Sequence, residues 1–282
     1  MKLMRVGPVG TERPALIGPD SLTRDLSGVI RDFDADALSP AGLARLAALD
    51  LSSLPLVAPG QRVGPPVPRP ANFVAIGLNY ADHAAEAGQP IPQEPVVFLK
   101  SVNAYCGPND DVHLPRGAKK TDWEVELGVV IGTRASYAQA HEAMDHVAGY
   151  CVINDVSERE YQLERGGTWD KGKGCDTFGP IGPWLVTRDE VTNPQKLQMW
   201  LDLNGQRVQT GSTKTMVFGV AKLISYVSQF MTLEPGDVIT TGTPPGVGMG
   251  MKPPLYLKKG DKMSLGIEGL GEQHQLVVAF KL

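Results

Sequence analysis

Glycine, with 32 residues, and proline, with 23, punctuate these 282 residues so often that little room is left for long helices. Proline fixes φ and removes a backbone donor, and glycine weakens a helix interior, so the chain is expected to fold as short strands joined by turns. Hydrophobic residues make up 42% of the chain, enough to give such a β-rich fold a core. The clearest change of texture lies at 55–70, where six prolines and two glycines make a stiff connection. It predicts a small N-terminal domain with its Pro-rich linker over 1–66 and a larger domain over 67–282.

Before the connection, 2–6 and 15–17 read as strands, and 40–49 as a helix with Leu43, Leu46 and Leu49 at helical spacing. After it, the apolar and β-branched runs 73–76, 96–99, 125–131, 147–154 and 238–241 read as strands bounded by turn residues. In 197–203 apolar and polar residues alternate and then meet Asn204-Gly205, a pair that accepts positive φ at both positions and so marks a hairpin. One amphipathic helix is expected from about 219 to 231, with Val220, Leu223, Ile224, Val227 and Met231 on one face.

The formal net charge of −4, without a long Lys/Arg block, offers no phosphate-neutralising surface, so no nucleic-acid partner is expected. Apolar runs such as 127–131 and 276–280 fall far short of the roughly 18 residues a membrane span needs. The first ten residues carry Lys2 and Arg5 but no apolar stretch, so no secretion signal is read. Cys106, Cys151 and Cys175 show no CxxC spacing, which argues against a disulfide framework or zinc site and fits a reducing cytoplasm.

Chemistry concentrates in four segments. Strand parity puts Glu124 and Glu126 on one face and Trp123, Val125 and Leu127 on the other. Two carboxylates about 7 Å apart on an apolar strand need a cation or a proton to offset their repulsion and desolvation, unless that face is solvated. Asp155 ends the run 147–154; three hard oxygen ligands together would favour magnesium, manganese or calcium over zinc, although the sequence does not place Asp155 beside the glutamates. In the second segment Asn79 reads as a helix N-cap and Gly88 as a stop, which puts His83 and Glu86 on one face at i and i+3. A carboxylate beside an imidazole suits a base that takes a proton from water, and an incidental surface histidine fits the pattern equally. The stretch Gly167 to Gly174 imitates a phosphate loop but has Gly174 where a magnesium-binding hydroxyl belongs. Finally, 240–248 is a strand end running into a glycine-rich loop whose N–H groups and hydroxyl can hold a carboxylate or simply form a turn.

Taken in order, GLNYADHAAE, DWEVELGVVIG, GYCVINDVSERE, GKGCDTFGPIGP and ITTGTPPGVGMG resemble the fumarylacetoacetate hydrolase family over roughly 73–282. Through KTDWEVELGVVIG, VAGYCVINDVSERE and GSTKTMVFGVA the chain looks closest to bacterial hydrolases of 2,4-diketo-3-deoxy sugar acids of the L-rhamnonate and L-fuconate type. The resemblance implies an α+β, β-rich fold, a mixed β-sandwich roll with a small N-terminal domain, usually a homodimer. It implies metal ligands at Glu124, Glu126 and Asp155 for Mg2+ or Mn2+, and a water-activating dyad of His83 and Glu86 on a mobile lid. It further implies an active-site cation at Lys173 and substrate-facing groups at Arg159, Gln162 and Thr243. One departure from the family pattern is Gly174, where serine commonly follows the motif lysine. The implied reaction is hydrolysis of a 2-oxo acid of acylpyruvate type to pyruvate and a second acid such as lactate. Rival readings on the same fold are oxaloacetate decarboxylation, enoic acid hydration or isomerisation, and ureidoglycolate cleavage; in a different class stands a non-catalytic metal- or ligand-binding protein.

Overall fold

A computed structural model of the chain describes residues 1–86, 88 and 90–280, with the side chains of 83–85 left aside. The large sheet runs, edge to edge, Thr23–Asp25, Arg13–Ile17, Lys2–Val6, Gly179–Thr187, Val147–Asn154, Val125–Ile131, Val238–Thr240, Phe73–Gly77 and Val96–Leu99. Val63–Gly64 and Tyr105–Cys106 pair to its side. A second sheet of five strands orders Gln206–Ser212, Gln198–Leu203, Lys262–Ile267, Gly271–Ala279 and Val112–Leu114. Most pairs are antiparallel, but Val238–Thr240 runs parallel to Phe73–Gly77, Gly179–Thr187 to Tyr105–Cys106 and Gly271–Ala279 to Val112–Leu114. The result is the expected α+β, mixed-sheet fold.

The strand Val125–Ile131 sits centrally and its parity sorts two cores. Trp123, Val125, Leu127, Val129 and Ile131 face a cluster that includes Met199, Leu201 and Leu265 of the second sheet and Leu223 and Ile224 of helix Val220–Val227. On the other face Val130 joins Ala148, Cys151, Ile153 and Val238 under a layer of Leu3, Leu16, Leu26, Phe33, Leu38 and Leu46. Glu124 and Glu126 share that second face by parity, beyond the reach of the apolar cover, so one strand carries both a core and a polar end.

Expected elements mostly appear where the pattern put them. The hairpin turn is made by Asn204 at φ 53 and Gly205 at φ 79, between Gln198–Leu203 and Gln206–Ser212. The helix expected to 231 stops at Val227, because the N–H groups of Gln229 and Phe230 turn back to Tyr226 and Val227 in a tighter final turn. Asn79 does not cap the helix Ala81–Glu86; its amide donates to the carbonyls of Phe218 and Thr241 and accepts from the Phe218 N–H. Hydrogen bonds also cross the linker: Lys2–Val6 pairs with Gly179–Thr187, joining residues on either side of 66 in one sheet.

Candidate active site

Glu124, Glu126 and Asp155 meet at the polar end of the central strand, all three buried, each offering an oxygen within 4.8 Å of the others. Asp155 is brought there by the antiparallel pairing of Val125 with Asn154 and by its own N–H, which donates to the Glu124 carbonyl at 2.9 Å. The ammonium of Lys173 bridges the set, donating to Glu124 Oε2 and, at 2.8 Å, to Asp155 Oδ2. Arg159 donates to the other Glu124 oxygen at 2.6 Å and to Asp122 at 2.9 Å. Lys100 donates to Asp155 Oδ1 at 2.6 Å and to the Lys173 carbonyl.

Glu126 differs from its neighbours. Its Oε2 accepts from the Thr240 hydroxyl and, at 2.7 Å, the Gly242 N–H, both neutral donors, and among the described residues it has no ion pair. Burial first, and then the charges of Asp155 and Glu124, push its carboxyl well above the usual range. Among the described residues the cluster thus holds four carboxyl groups, Asp122, Glu124, Glu126 and Asp155, against three cations, Lys100, Arg159 and Lys173. A buried hard-oxygen set in which a third carboxyl ionises only at a cost fits a divalent cation, and this triad can hold one. Burial pushes the Lys173 ammonium down, but Asp155 and Glu124 more than offset it and leave it raised. For Lys100, burial outweighs the help of Asp155, and the neighbouring Lys173 adds to it, so its ammonium is lowered.

The cluster opens into a cavity of about 700 Å³ lined by Glu86, Glu124, Glu126, Arg159, Gln162, Lys173 and Thr243 among others. Of the residues singled out in the sequence, these therefore come together. His83 lies on the helix Ala81–Glu86 with Glu86, but its side chain falls outside the described residues. Arg159 and Gln162 project from one face of the short helix Arg159–Leu163, and Arg159 donates to Gln162 Oε1 at 3.0 Å. That bond fixes the amide so that its Nε2 side is the one left to donate.

The glycine-rich loop does bind carboxylates, but they are the protein's own. Gly242 N–H goes to Glu126, Gly246 N–H to Glu86 at 3.0 Å, and the Gly248 and Met249 N–H groups to Asp122 at 2.7 and 3.0 Å. The Thr243 hydroxyl donates to the Val125 carbonyl and accepts from Gln209. A side chain at 248 would collide with the Leu255 carbonyl at 1.9 Å, so glycine lets the loop close on Asp122. At 174 a Cβ would press on the Asp170 carbonyl at 2.9 Å and the Ser101 Cβ at 3.1 Å. Glycine there seats the helix Asp170–Lys173 against the residue next to Lys100.

Sequence reasoning missed Lys100 and Asp122. Asp122 had a signal, since it precedes Glu124 and Glu126 at the same two-residue interval; it is fully buried and saturated by four donors. Lys100 had only the oddity of a lysine ending an apolar strand, and its partner lies 55 residues away.

A mixed-sheet fold that opens a cavity onto a buried acidic triad, two ammonium groups and a guanidinium has the parts of an enzyme active site. The chain belongs to the fumarylacetoacetate (FAA) hydrolase C-terminal family, whose model matches residues 72–278. It is 63% identical to a Burkholderia multivorans protein, provisionally named a hydrolase, over 99% of both chains. Its fold is similar to that of a fumarylacetoacetate hydrolase from Exiguobacterium antarcticum, with TM-score 0.87 and 34% identity over 99% of this chain and 100% of that one. It is similar, too, to a maleylpyruvate hydrolase from a Sphingobium species in complex with manganese(II) and pyruvate, with TM-score 0.82 and 28% identity over 100% of both chains. A 2-hydroxyhepta-2,4-diene-1,7-dioate isomerase from Mycobacterium marinum matches over 100% of both chains with TM-score 0.77 and 30% identity.

Proposed function

We propose that this protein hydrolyses the C3–C4 bond of a 2,4-diketo acid, releasing pyruvate and a second carboxylic acid. A 2,4-diketo-3-deoxy sugar acid yielding lactate is the preferred substrate. The observation that carries the reading is a cavity lined by Glu124 and Glu126, two members of an acidic triad fit for a divalent ion, and by Glu86, the partner expected of a water-activating histidine. Glu124, Glu126 and Asp155 would hold Mg2+ or Mn2+, which supplies Lewis acidity toward a 2-oxo acid. The pyruvate and manganese of the Sphingobium relative support that pairing of ion and ligand class.

On this reading, Lys173 places a fixed positive charge where the departing pyruvate gathers negative charge, and Gln162 donates from Nε2 to the same end of the substrate. His83 takes the proton from the attacking water, and the Glu86 carboxylate stabilises the imidazolium that results. Hydrolysis is preferred to isomerisation or decarboxylation because, of these three, it alone consumes an activated water. We expect a homodimer, which sedimentation would verify. The decisive experiment measures pyruvate release from a panel of 2,4-diketo acids. Activity should vanish in EDTA and return with Mg2+ or Mn2+; full turnover in a chelated preparation overturns the metal assignment, and no pyruvate from any member overturns the reaction.

A further inference from the structure

Leu78 is held at φ 52, a left-handed backbone conformation that glycine or asparagine adopts readily and leucine rarely does. Its neighbour enforces the turn, since Asn79 is tied by three side-chain hydrogen bonds to Phe218 and Thr241, and its carbonyl accepts from Val217. A turn alone would be better served by Gly or Asn, so leucine at 78 is there for its side chain, and that residue lines the cavity. Beside it, Trp169 lies so close over Gly77 that a Cβ there would fall 2.2 Å from the ring, and Phe98 packs edge-on against the indole at 5.3 Å. Met249 and Met251 line the cavity from the turn that Asp122 anchors.

Among the described residues, most of the polar lining is already engaged. Glu124, Glu126, Arg159, Gln162, Lys173 and Thr243 are bound to the acidic cluster, to one another or to the central strand, and Glu86 to the glycine-rich loop. Lys252 is exposed. Among the described residues, what remains for the part of a substrate that does not touch the cluster is, apart from Lys252, apolar surface.

We propose that Leu78, Trp169, Met249 and Met251 select the acyl half of the substrate, and that this half is uncharged and ends in a methyl group rather than in a carboxylate or hydroxymethyl group. This rests on the diketo acid reading and narrows it. Burying a charged or hydroxylated terminus against Leu78, Met249 and Met251 would leave it at most the Trp169 indole N–H as a partner, whereas a methyl terminus gains contact at no such cost.

The test compares kcat/KM of the metal-loaded protein on three acylpyruvates of equal length whose acyl chains end in methyl, hydroxymethyl or carboxylate. The methyl-ended substrate should lead each of the others by about tenfold or more, the scale on which apolar pockets discriminate. Leu78→Asn, which suits the left-handed turn, should keep or raise the melting temperature and shrink that lead to within about threefold. Met251→Gln gives the same readout at the other wall should Leu78→Asn fail to fold. Equal kcat/KM on all three substrates overturns the proposal, as does a carboxylate preference that Lys252→Met removes. If none is cleaved, the diketo acid reading has failed, and thermal shifts with saturated 2-oxo acids bearing the same three termini still decide which terminus is bound.

Discussion

Among the described residues Glu126 is the member of the triad without an ion pair, its carboxylate meeting only the Thr240 hydroxyl and the Gly242 N–H. Because its carboxyl is raised by burial and by Asp155 and Glu124, the metal-free chain loses stability as pH rises from the ordinary glutamate value of 4.5 toward that higher one. Removing the charge removes the loss, so Glu126→Gln in EDTA at pH 7 should melt no lower than the parent. Added Mn2+ should raise the parent's melting temperature, by mass action, and leave the variant's nearly unchanged. Equal metal-induced shifts in both proteins would show that Glu126 is not a ligand. Glu86 separates from this behaviour, because it accepts from the Gly246 N–H and is not a member of the triad. Glu86→Gln should keep the metal-induced shift and lower hydrolysis by something like 10² to 10⁴, the usual contribution of a general base and its partner. A variant hydrolysing at the parental rate would leave the dyad unsupported.

Among the elements, the strand Val125–Ile131 was legible because its alternation is a local property: Glu124 and Glu126 had to share a face, and the fold uses that face for the cluster. The strand Gly179–Thr187 was not, since two prolines and two glycines in GPIGPWLVT read as turn, yet it lies between Lys2–Val6 and Val147–Asn154. Its register breaks between Tyr150 and Val152, an irregularity that accommodates residues a regular ladder would reject. Lys100 and Asp155 show the other limit, for their pairing depends on which strands become neighbours and not on either residue's context. Gly128 is where the same strand passes from cluster to core: a Cβ there would stand 2.6 Å from Ile153 Cδ1 and 2.8 Å from Cys151 Sγ. Gly128→Val should therefore cost about 1–3 kcal/mol by overpacking, read from chemical denaturation, with the metal-induced thermal shift retained. No loss of stability would mean that the two strands part more easily than this packing allows.

At the scale of the whole molecule the question is what residues 1–66 are for, since the chemistry lies elsewhere. They supply Leu3, Leu16, Leu26, Phe33, Leu38 and Leu46, which cover Val130, Ala148, Cys151, Ile153 and Val238 on the back of the strands that hold Glu126 and precede Asp155. Their first strand also pairs with Gly179–Thr187, and the Met1 carbonyl accepts from the Thr187 N–H. We infer that this segment, though small and set off in sequence by its prolines, stabilises the site from behind by completing a core that residues 67–282 begin. Each covered side chain returned to water would forfeit about 1.5–3 kcal/mol, and the uncovered strand Gly179–Thr187 would offer an open edge. Against the 5–15 kcal/mol by which domains are usually stable, the loss of several such burials together is decisive. A chain of residues 67–282 produced alone should be insoluble or lack a cooperative melt, and co-expression with residues 1–66 as a separate chain should restore both. A lone 67–282 chain that is monodisperse, melts cooperatively and still shows the Mn2+-induced shift would make the N-terminal layer an independent domain and not a part of the site's foundation.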